Sequence, residues 1–462
     1  MMNSNSDGLD LKKLGHNITG TILRQGVGIL IGLGLSILIA RILGPTGNGQ
    51  YAMTILLPTM LASFLNLGVA PANVYFIASR RTTPLSALKS NLWVWSLLSV
   101  IGVILGVIVV LRYSSVWFPS IPKSLLWVGI FAFPISLLQS FLASILQGLQ
   151  DFKRYNYALL VTPGATFFLA AILIGVIELG VFGALIAFIG GQFIGLLMTL
   201  IVLRPVLHRN NEYEINSISD NYTLQCLKYG WKAHMSNILT FVNYRADIFL
   251  VNFFLSPAAT GIYVIAVGIA ERIWMLSTSV STVLLPRLSE LNKDERKRQQ
   301  LTPLIVRWVL LVSAIGTVMM AALASPFIRL LYGEEFIPAI GALLWLLPGI
   351  LMGSMARVLA NDIAARGKPE LNLYVAFLVV SVNVVANVIL IPIFGIKGAA
   401  LATTIAYTVN AVVKLWFYSN ISKNPWWKPI LPNADDLQLF QTGLLVVKKA
   451  VLSTLYKYEG NN

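Results

Sequence analysis

The sequence predicts an all-α polytopic membrane protein with about twelve transmembrane helices, and three observations support this fold class. The chain is 56% hydrophobic and only 11% charged, which is more apolar than a soluble core requires. Runs of about 20 apolar residues, each long enough to cross a bilayer as a helix, recur along most of the chain. Most segments between these runs are short, so consecutive helices must be antiparallel neighbours.

The hydropathy pattern gives two sets of six spans. The first set occupies residues 19–43, 51–78, 91–112, 124–147, 157–178 and 183–204. The second set occupies residues 231–254, 262–288, 303–325, 338–363, 372–392 and 398–418. We therefore predict five regions: a cytoplasmic N-terminal segment (1–18), an N-terminal six-helix bundle (19–204), a polar cytoplasmic linker (205–230), a C-terminal six-helix bundle (231–418) and a cytoplasmic tail (419–462).

An internal repeat relates the two sets of spans. The spacing Pro-x-x-x-Gly-x-Tyr occurs in GPTGNGQY at residues 44–51 and again, 212 residues later, in SPAATGIY at residues 256–263. Three more pairs keep nearly the same offset and order: Pro134 with Pro348, Gly148 with Gly367, and GVFGA at 180–184 with GIKGA at 395–399. Because six is an even number, both halves enter the membrane from the same side, as in parallel-repeat transporters. The prediction is two six-helix repeats, an N-lobe and a C-lobe, around a central cavity.

The repeated Pro-x-x-x-Gly-x-Tyr motif predicts a structural landmark rather than a ligand contact. Pro and Gly are turn residues, and here they fall between the first two spans of each lobe, on the outer side. A tyrosine at the start of the next span is typical of an aromatic anchor at the membrane interface. We expect Tyr51 and Tyr263 to occupy such positions.

The net charge of +15 follows membrane topology and does not indicate nucleic-acid binding. Of the 34 Lys and Arg residues, five fall on predicted outer loops and five within spans, while the other 24 lie inside or at the inner interface. This is the positive-inside distribution. It predicts a multi-pass protein of the plasma (inner) membrane with both termini in the cytoplasm.

Motifs for catalysis, nucleotide hydrolysis and metal binding are missing from the sequence. It contains no Gly-x-x-x-x-Gly-Lys-Ser/Thr loop, no Gly-x-Ser-x-Gly elbow and no His-Glu-x-x-His helix. The single cysteine, Cys226, excludes an intrachain disulfide, and the three histidines lack ligand spacing. We predict no catalytic residue, no metal and no cofactor, and leave open coupling to an H⁺ or Na⁺ gradient.

Polar and charged side chains within the spans are the candidate substrate-binding residues. A charge at mid-bilayer costs roughly 2.5–3.5 kcal/mol on insertion scales, so it normally faces a bundle interior or a wet cavity. An alternative remains open, in which these groups form interhelical ion pairs and hydrogen bonds that hold the bundle together. The candidates come from spans one, seven, eight, ten and eleven: Arg24; Asn243, Tyr244, Arg245 and Asp247; Glu271 and Arg272; Arg357, Asn361 and Asp362; and Asn383 and Asn387.

The sequence of the cytoplasmic tail predicts one further helix. Apolar residues recur at helical spacing over residues 435–457, and lysines occupy other positions of the same segment. This pattern is typical of an amphipathic helix that lies on the inner leaflet.

Three segments carry a resemblance to a known family: ARILGPTGNGQYA at 40–52, YRADIFLVNFFLSPAATGIYVIA at 244–266 and NVILIPIFGIKGAALATTIAY at 387–407. Over residues 15 to about 420, the chain resembles the oligosaccharide flippases (Wzx-type, polysaccharide biosynthesis/transport proteins) of the multidrug/oligosaccharidyl-lipid/polysaccharide (MOP, MATE-like) exporter superfamily. The resemblance implies a cavity that opens alternately to each side and carries polyprenyl-diphosphate-linked oligosaccharides outward. It also implies that cavity arginines receive the diphosphate and acidic sugars. The residues carried over by position are the arginines Arg24 and Arg245, together with Asp247.

Two alternative functions remain open. A MATE-type cation-coupled drug or small-molecule antiporter would share the fold, but it would need an acidic cation site without the accompanying arginines. A membrane glycosyltransferase or polymerase would need large outer loops with catalytic acids, and no predicted outer loop exceeds about a dozen residues. The expected partners are the lipid-linked oligosaccharide, membrane lipids and a polysaccharide polymerase or export machinery, with no nucleic acid.

Overall fold

The computed structural model describes residues 11–208, 221–290 and 295–433, and within these ranges the chain is helical, with no β-strand. A π-helix, Val109–Tyr113, joins α3 to α4, and a 3-10 helix, Glu334–Phe336, precedes α12. The all-α fold predicted from the sequence is confirmed. In chain order the helices are α1 (Leu11–Leu65), α2 (Val69–Ala78), α3 (Pro84–Ile108), α4 (Ser114–Trp117), α5 (Lys123–Ile130), α6 (Ala132–Gly148), α7 (Phe152–Gly175), α8 (Gly180–His208), α9 (Tyr222–Phe254), α10 (Pro257–Glu290), α11 (Glu295–Leu331), α12 (Pro338–Ala365), α13 (Pro369–Phe394) and α14 (Ile396–Ser422).

The predicted spans coincide with these helices. Within the described ranges, nine helices are long and apolar enough to cross a membrane. α1 covers the first predicted span and the first part of the second, which continues in α2, and its helical backbone breaks at Gly44, where φ is 64°. α9 and α10 are not among the nine, and they are the helices that carry the charged residues of predicted spans seven and eight. The chain is therefore a polytopic membrane protein.

Some predicted elements lie outside the described residues. These are the amphipathic helix at 435–457, the first ten residues of the chain and residues 209–220 of the polar linker. Residues 423–433 form turns and irregular backbone, with Trp426 and Trp427 exposed. The division into an N-lobe and a C-lobe stays a prediction.

Pro134 coincides with an interruption of predicted span four. α5 ends at Ile130 and α6 begins at Ala132. Proline has no amide hydrogen, and its ring crowds the carbonyl four residues earlier, which is that of Ile130. The indole N–H of Trp95 donates to the Pro134 carbonyl at 2.8 Å, so this neighbouring helix satisfies a backbone group beside the break.

The helices pack into two compact units. The first comprises Met1–Ala270, Ala321–Leu347 and Ala376–Ala406. Association of helices in lipid depends on close packing. The first unit shows such packing where α8 lies on α7, because a Cβ on Gly191 would come within 1.9 Å of the Thr166 hydroxyl. One of its apolar cores contains Ile39, Tyr51, Leu125, Ala170, Ile174, Ala184, Leu185 and Ala187.

The second unit comprises Glu271–Met320, Pro348–Val375 and Tyr407–Asn462. Its apolar core is built from α11, α12 and α14. The buried members of this core are Val306, Val309, Met355, Ala356, Val358, Leu359, Ala411, Leu415 and Tyr418.

The two copies of the repeated motif meet inside the first unit. The amide of Asn48 donates to the Gly261 carbonyl at 2.8 Å. The tyrosines of the motif do not lie at an interface, so that prediction was wrong: Tyr51 is 8% exposed and Tyr263 is fully buried. For Tyr263 the reason is a hydrogen bond, because its hydroxyl donates to the buried carboxylate of Asp247 at 2.7 Å.

Candidate functional site

Asp247 is a buried carboxylate on α9, with an exposed fraction of 3%. It accepts hydrogen bonds from the Ile248 backbone N–H at 2.8 Å, the Tyr263 hydroxyl at 2.7 Å and the Thr403 hydroxyl at 3.3 Å. A buried carboxylate without donors would be costly. Neutral groups from α9, α10 and α14 therefore hold Asp247 in place, and the Arg245 guanidinium acts on it electrostatically.

Asn243, Tyr244 and Arg245 precede Asp247 on α9, and all three are half-buried. The Arg245 guanidinium lies 3.5 Å from the Tyr244 carbonyl, which is a weak contact. The side-chain amide oxygen of Asn243 is buried and accepts no hydrogen bond from the described residues. α9 thus carries a cation, an anion and an amide within five positions of one predicted span.

Arg24 is half-buried on α1, in the same unit as Arg245. Its Nε atom is buried, and no described residue accepts its hydrogen. The guanidinium acts electrostatically on the Tyr155 hydroxyl of α7. Arg24 is therefore a half-buried cation close to Tyr155 of α7.

Asn383 and Asn387 are fully buried on α13 and lie on one face, as their spacing predicts. The Asn387 amide donates to the backbone and side-chain oxygens of Asn383, at 2.8 and 3.1 Å. The Asn383 amide nitrogen and the Asn387 amide oxygen have no hydrogen-bond partner among the described residues. This pair thus presents one donor and one acceptor inside the first unit.

Asp362, on α12 in the second unit, belongs to a buried ion network. Its carboxylate accepts hydrogen bonds from the Thr302 hydroxyl at 2.7 Å and from Arg366 Nε at 2.5 Å. Arg298 lies 3.7 Å from the same carboxylate, and Arg366 also pairs with Glu295 at 2.5 Å. Burial alone would lower the pKa of Arg366, which lies beyond the end of α12, but its hydrogen bonds to both carboxylates raise that pKa. This arrangement favours the interhelical alternative for Asp362.

Arg357, also on α12, lies over an aromatic ring. Its guanidinium carbon is 5.3 Å from the centre of the Trp274 ring, a cation–π distance. The Trp274 indole N–H donates to the Ile350 carbonyl at 3.0 Å, which fixes the ring. Lys414 is near enough to Arg357 for the two charges to act on each other. The second unit thus places two cations close together beside an aromatic side chain.

The other three candidates are half-buried in the second unit, and each has an interaction partner: Glu271, Arg272 and Asn361. The structure thus brings Arg245 together with Asp247, and Asn383 with Asn387. It joins Asp362 to residues that the sequence analysis did not single out.

A polar cavity in the first unit was also missed. It has a volume of about 500 Å³ and is lined mainly by α6, α7 and α8. A signal for it was present, because small and polar residues follow one face of α6 at spacings of three and four. These residues are Ser136, Gln139, Ser140, Ala143, Ser144 and Gln147.

The fold and these buried polar groups are those of a multi-pass helical membrane protein. The family model described as polysaccharide biosynthesis protein matches residues 38–341, and the chain belongs to this family. The probable flippase AglR of Haloferax volcanii is 26% identical over 192 residues. That match covers 40% of this chain and 39% of AglR, so it spans less than half of the relative.

Solved structures show the same fold. The lipid II flippase MurJ, in an inward closed conformation, superposes with a TM-score of 0.71 at 16% identity, covering 96% of this chain and 99% of MurJ. An inward-facing MATE-family multidrug resistance transporter of the MOP superfamily gives a TM-score of 0.68 at 15% identity, covering 87% and 98% of the two chains. The fold that the resemblance to the MOP exporters implies is confirmed.

Proposed function

We propose that this chain flips a polyprenyl-diphosphate-linked oligosaccharide from the inner to the outer face of the plasma membrane by alternating access. The observation that carries the proposal is the position of Arg245. It is a half-buried guanidinium on a predicted span, next to the buried Asp247 and in the same unit as Arg24. Family membership supports the transporter class, and the substrate and the direction are our inference.

The chemistry of the substrate fits arginine side chains. A diphosphate cannot enter hydrocarbon unescorted, because the desolvation of its charge is too costly. A guanidinium group binds phosphate oxygens through two parallel hydrogen bonds, more specifically than an ammonium does. In our proposal Arg24 and Arg245 hold the diphosphate or an acidic sugar while the polyprenyl tail stays in the bilayer. Pro134, Pro163 and Pro348 supply bending points for alternating access.

Asp247 is the residue to which we assign ion coupling. Its hydrogen bonds come from neutral groups, so its charge is available to a proton or a sodium ion. Binding of a cation would offset the cost of burying the carboxylate. Such a site would link the flipping cycle to an H⁺ or Na⁺ gradient.

The cellular setting follows from the charge distribution. The positive-inside rule puts both termini in the cytoplasm of a cell with a plasma (inner) membrane. The chain would act as a transporter, without making or breaking bonds in the glycan. A polysaccharide polymerase or export machinery would receive the flipped glycan.

A cation-coupled drug antiporter is the second candidate. The MATE-like fold and the buried carboxylate of Asp247 favour it. Such a protein would expel organic cations and leave lipid-linked sugars unmoved.

Reconstitution into vesicles tests the proposal against this alternative. The vesicles contain purified protein and a radiolabelled polyprenyl-diphosphate oligosaccharide, and a glycan-cleaving enzyme is added outside. We expect the protein to make the inner pool of labelled lipid accessible to the enzyme. Movement of an organic cation under a proton gradient, without movement of the lipid, would establish the antiporter instead. Deleting the gene and identifying the lipid-linked sugar that accumulates would name the glycan.

A further inference from the structure

The cavity between α6, α7 and α8 has an unusual lining. Among the residues that the structure describes, no charged side chain borders it, although it is rich in hydroxyl and amide groups. Its volume of about 500 Å³ lies within the range of about 300–1,000 Å³ that is usual for small-molecule sites. Its main polar members are Gln139, Ser140, Gln147, Tyr155, Thr162 and Gln192.

Some polar groups of the lining are already used in hydrogen bonds between helices. Gln139 is 5% exposed, and its amide donates to the Thr162 hydroxyl at 2.6 Å, which ties α6 to α7. Gly195 of α8 makes room for this pair, because a Cβ there would lie 1.9 Å from the Thr162 oxygen and 2.5 Å from the Gln139 nitrogen. These residues shape the back of the cavity.

Two other amides of the lining have no hydrogen-bond partner among the residues that the structure describes. Gln147 and Gln192 are half-buried in the lining, and neither side chain forms a hydrogen bond with any residue in the described ranges. An amide without a partner in an apolar bundle is costly, so these groups require water or a ligand. Tyr155 adds a hydroxyl and an aromatic ring to the same lining.

We propose that this cavity binds the uncharged sugar residues of the lipid-linked glycan, with the amides of Gln147 and Gln192 hydrogen-bonded to sugar hydroxyls. This inference rests on the proposed function and names the part of the substrate that the first unit recognises. A sugar hydroxyl is both a donor and an acceptor, and so is an amide, whereas an ammonium or a carboxylate offers only one role. The lining is therefore matched to neutral sugars rather than to phosphate.

The position of Arg24 fits a substrate that joins sugar to diphosphate. Its guanidinium acts electrostatically on the Tyr155 hydroxyl, which lines the cavity. A diphosphate held by Arg24 would therefore place the first sugars near the amide-rich wall. One lipid-linked glycan could therefore contact Arg24 through its diphosphate and the cavity through its sugars.

Binding to two lipids tests this inference. The probes are polyprenyl diphosphate alone and polyprenyl diphosphate that carries a neutral tetrasaccharide, titrated into the full-length protein in lipid nanodiscs. The variant is Gln147→Leu/Gln192→Leu, which keeps side-chain size but removes both amides. Gln225→Leu is the matched control, because Gln225 is exposed on α9 outside the cavity. The melting temperature of each protein confirms that it is folded.

We expect the wild type and the control to bind the glycan-bearing lipid more tightly than the bare lipid. The double variant should lose about tenfold in affinity for each missing hydrogen bond, with the glycan-bearing lipid only. An unchanged preference for the glycan in a folded double variant would overturn the cavity assignment and leave the flippase proposal standing. So would an equal loss of affinity for both lipids.

If the proposed flippase function is wrong, the binding experiment gives a different result from the one that overturns the cavity assignment. If the wild type bound neither lipid, the flippase proposal would fall, and the cavity would then be tested with the free neutral tetrasaccharide. Binding of the free sugar to the wild type, but not to the double variant, would support the cavity assignment. No binding to either protein would overturn it.

Discussion

Gly49 and Gly261 pack reciprocally, each against the helix backbone of the other copy of the repeated motif. A Cβ on Gly49 would lie 1.7 Å from the Pro257 carbonyl oxygen, and a Cβ on Gly261 would lie 2.0 Å from the Pro45 carbonyl oxygen. Each glycine of the repeated motif thus faces the proline carbonyl of the other copy. Reciprocal contacts of this kind are what a two-fold relation between similar elements produces.

The first prediction concerns this close approach. Gly261→Ala places a methyl group against backbone, which cannot move aside as a side chain can. We expect it to destabilise the protein by about 1–3 kcal/mol, as overpacking does. Gly32→Ala is the control, because a Cβ there meets no atom of the described residues within 4 Å. Thermal unfolding in detergent measures the difference, and equal melting temperatures for the two variants would contradict the packing.

The second prediction concerns topology. Thr46 is exposed and Ala258 half-buried in the two turns that we predict to face outward. In a Cys226→Ser background, Thr46→Cys and Ala258→Cys should react with an impermeant thiol reagent in intact cells. Lys153→Cys, in a predicted inner loop, should react only after permeabilisation. Protection of either turn in intact cells would refute parallel repeats.

The apolar helices were predictable, because hydropathy is a property of the chain alone, whereas the two-lobe repeat stays a prediction. Arg245 and Asp247 were also found from the sequence, since a charge stands out in an apolar run. The partners of Asp247 were not, because Thr403 lies 156 residues away and only the fold brings it near. The role of Tyr263 was mistaken because hydropathy does not reveal which neighbour a buried hydroxyl meets.

The polar cavity was overlooked for a different physical reason. Glutamine and serine within a span are common as interhelical bonding groups, so their presence alone does not indicate a site. The spacing of Gln139 and Gln147 places them on one face of α6, but only the structure shows that Gln147 lacks a protein partner among the described residues.

The third prediction concerns the ion network of α11 and α12. Asp362→Asn leaves Arg298 and Arg366 buried without their shared carboxylate, which should cost about 3–5 kcal/mol. Asp151→Asn is the control, because its pair with Arg154 is more exposed and asparagine can still cap α7. An exposed pair contributes at most about 1 kcal/mol. Equal melting temperatures of these two variants would show that the network is not stabilising.

The fourth prediction uses the repeat as its own control. Tyr263→Phe removes the shortest hydrogen bond to Asp247 and should destabilise the protein by about 1.5–3 kcal/mol, as loss of a bond to a charged group does. Tyr51 occupies the matching position of the first motif, and its hydroxyl has no hydrogen-bond partner in the described residues. Tyr51→Phe should therefore be nearly neutral. Destabilisation of similar size in both variants would contradict a specific role for the Tyr263 hydroxyl.

The measurement that tests the flippase proposal most directly is outward movement of the lipid-linked glycan by Arg245→Gln, with protein abundance and melting temperature recorded beside it. We expect flipping to fall by roughly 10- to 100-fold at normal abundance, because the substrate phosphate loses a charge-assisted hydrogen bond. Arg245→Lys should recover part of the activity, and Arg112→Gln, at an exposed arginine, should keep all of it. Full transport by a folded Arg245→Gln protein would contradict the proposed site.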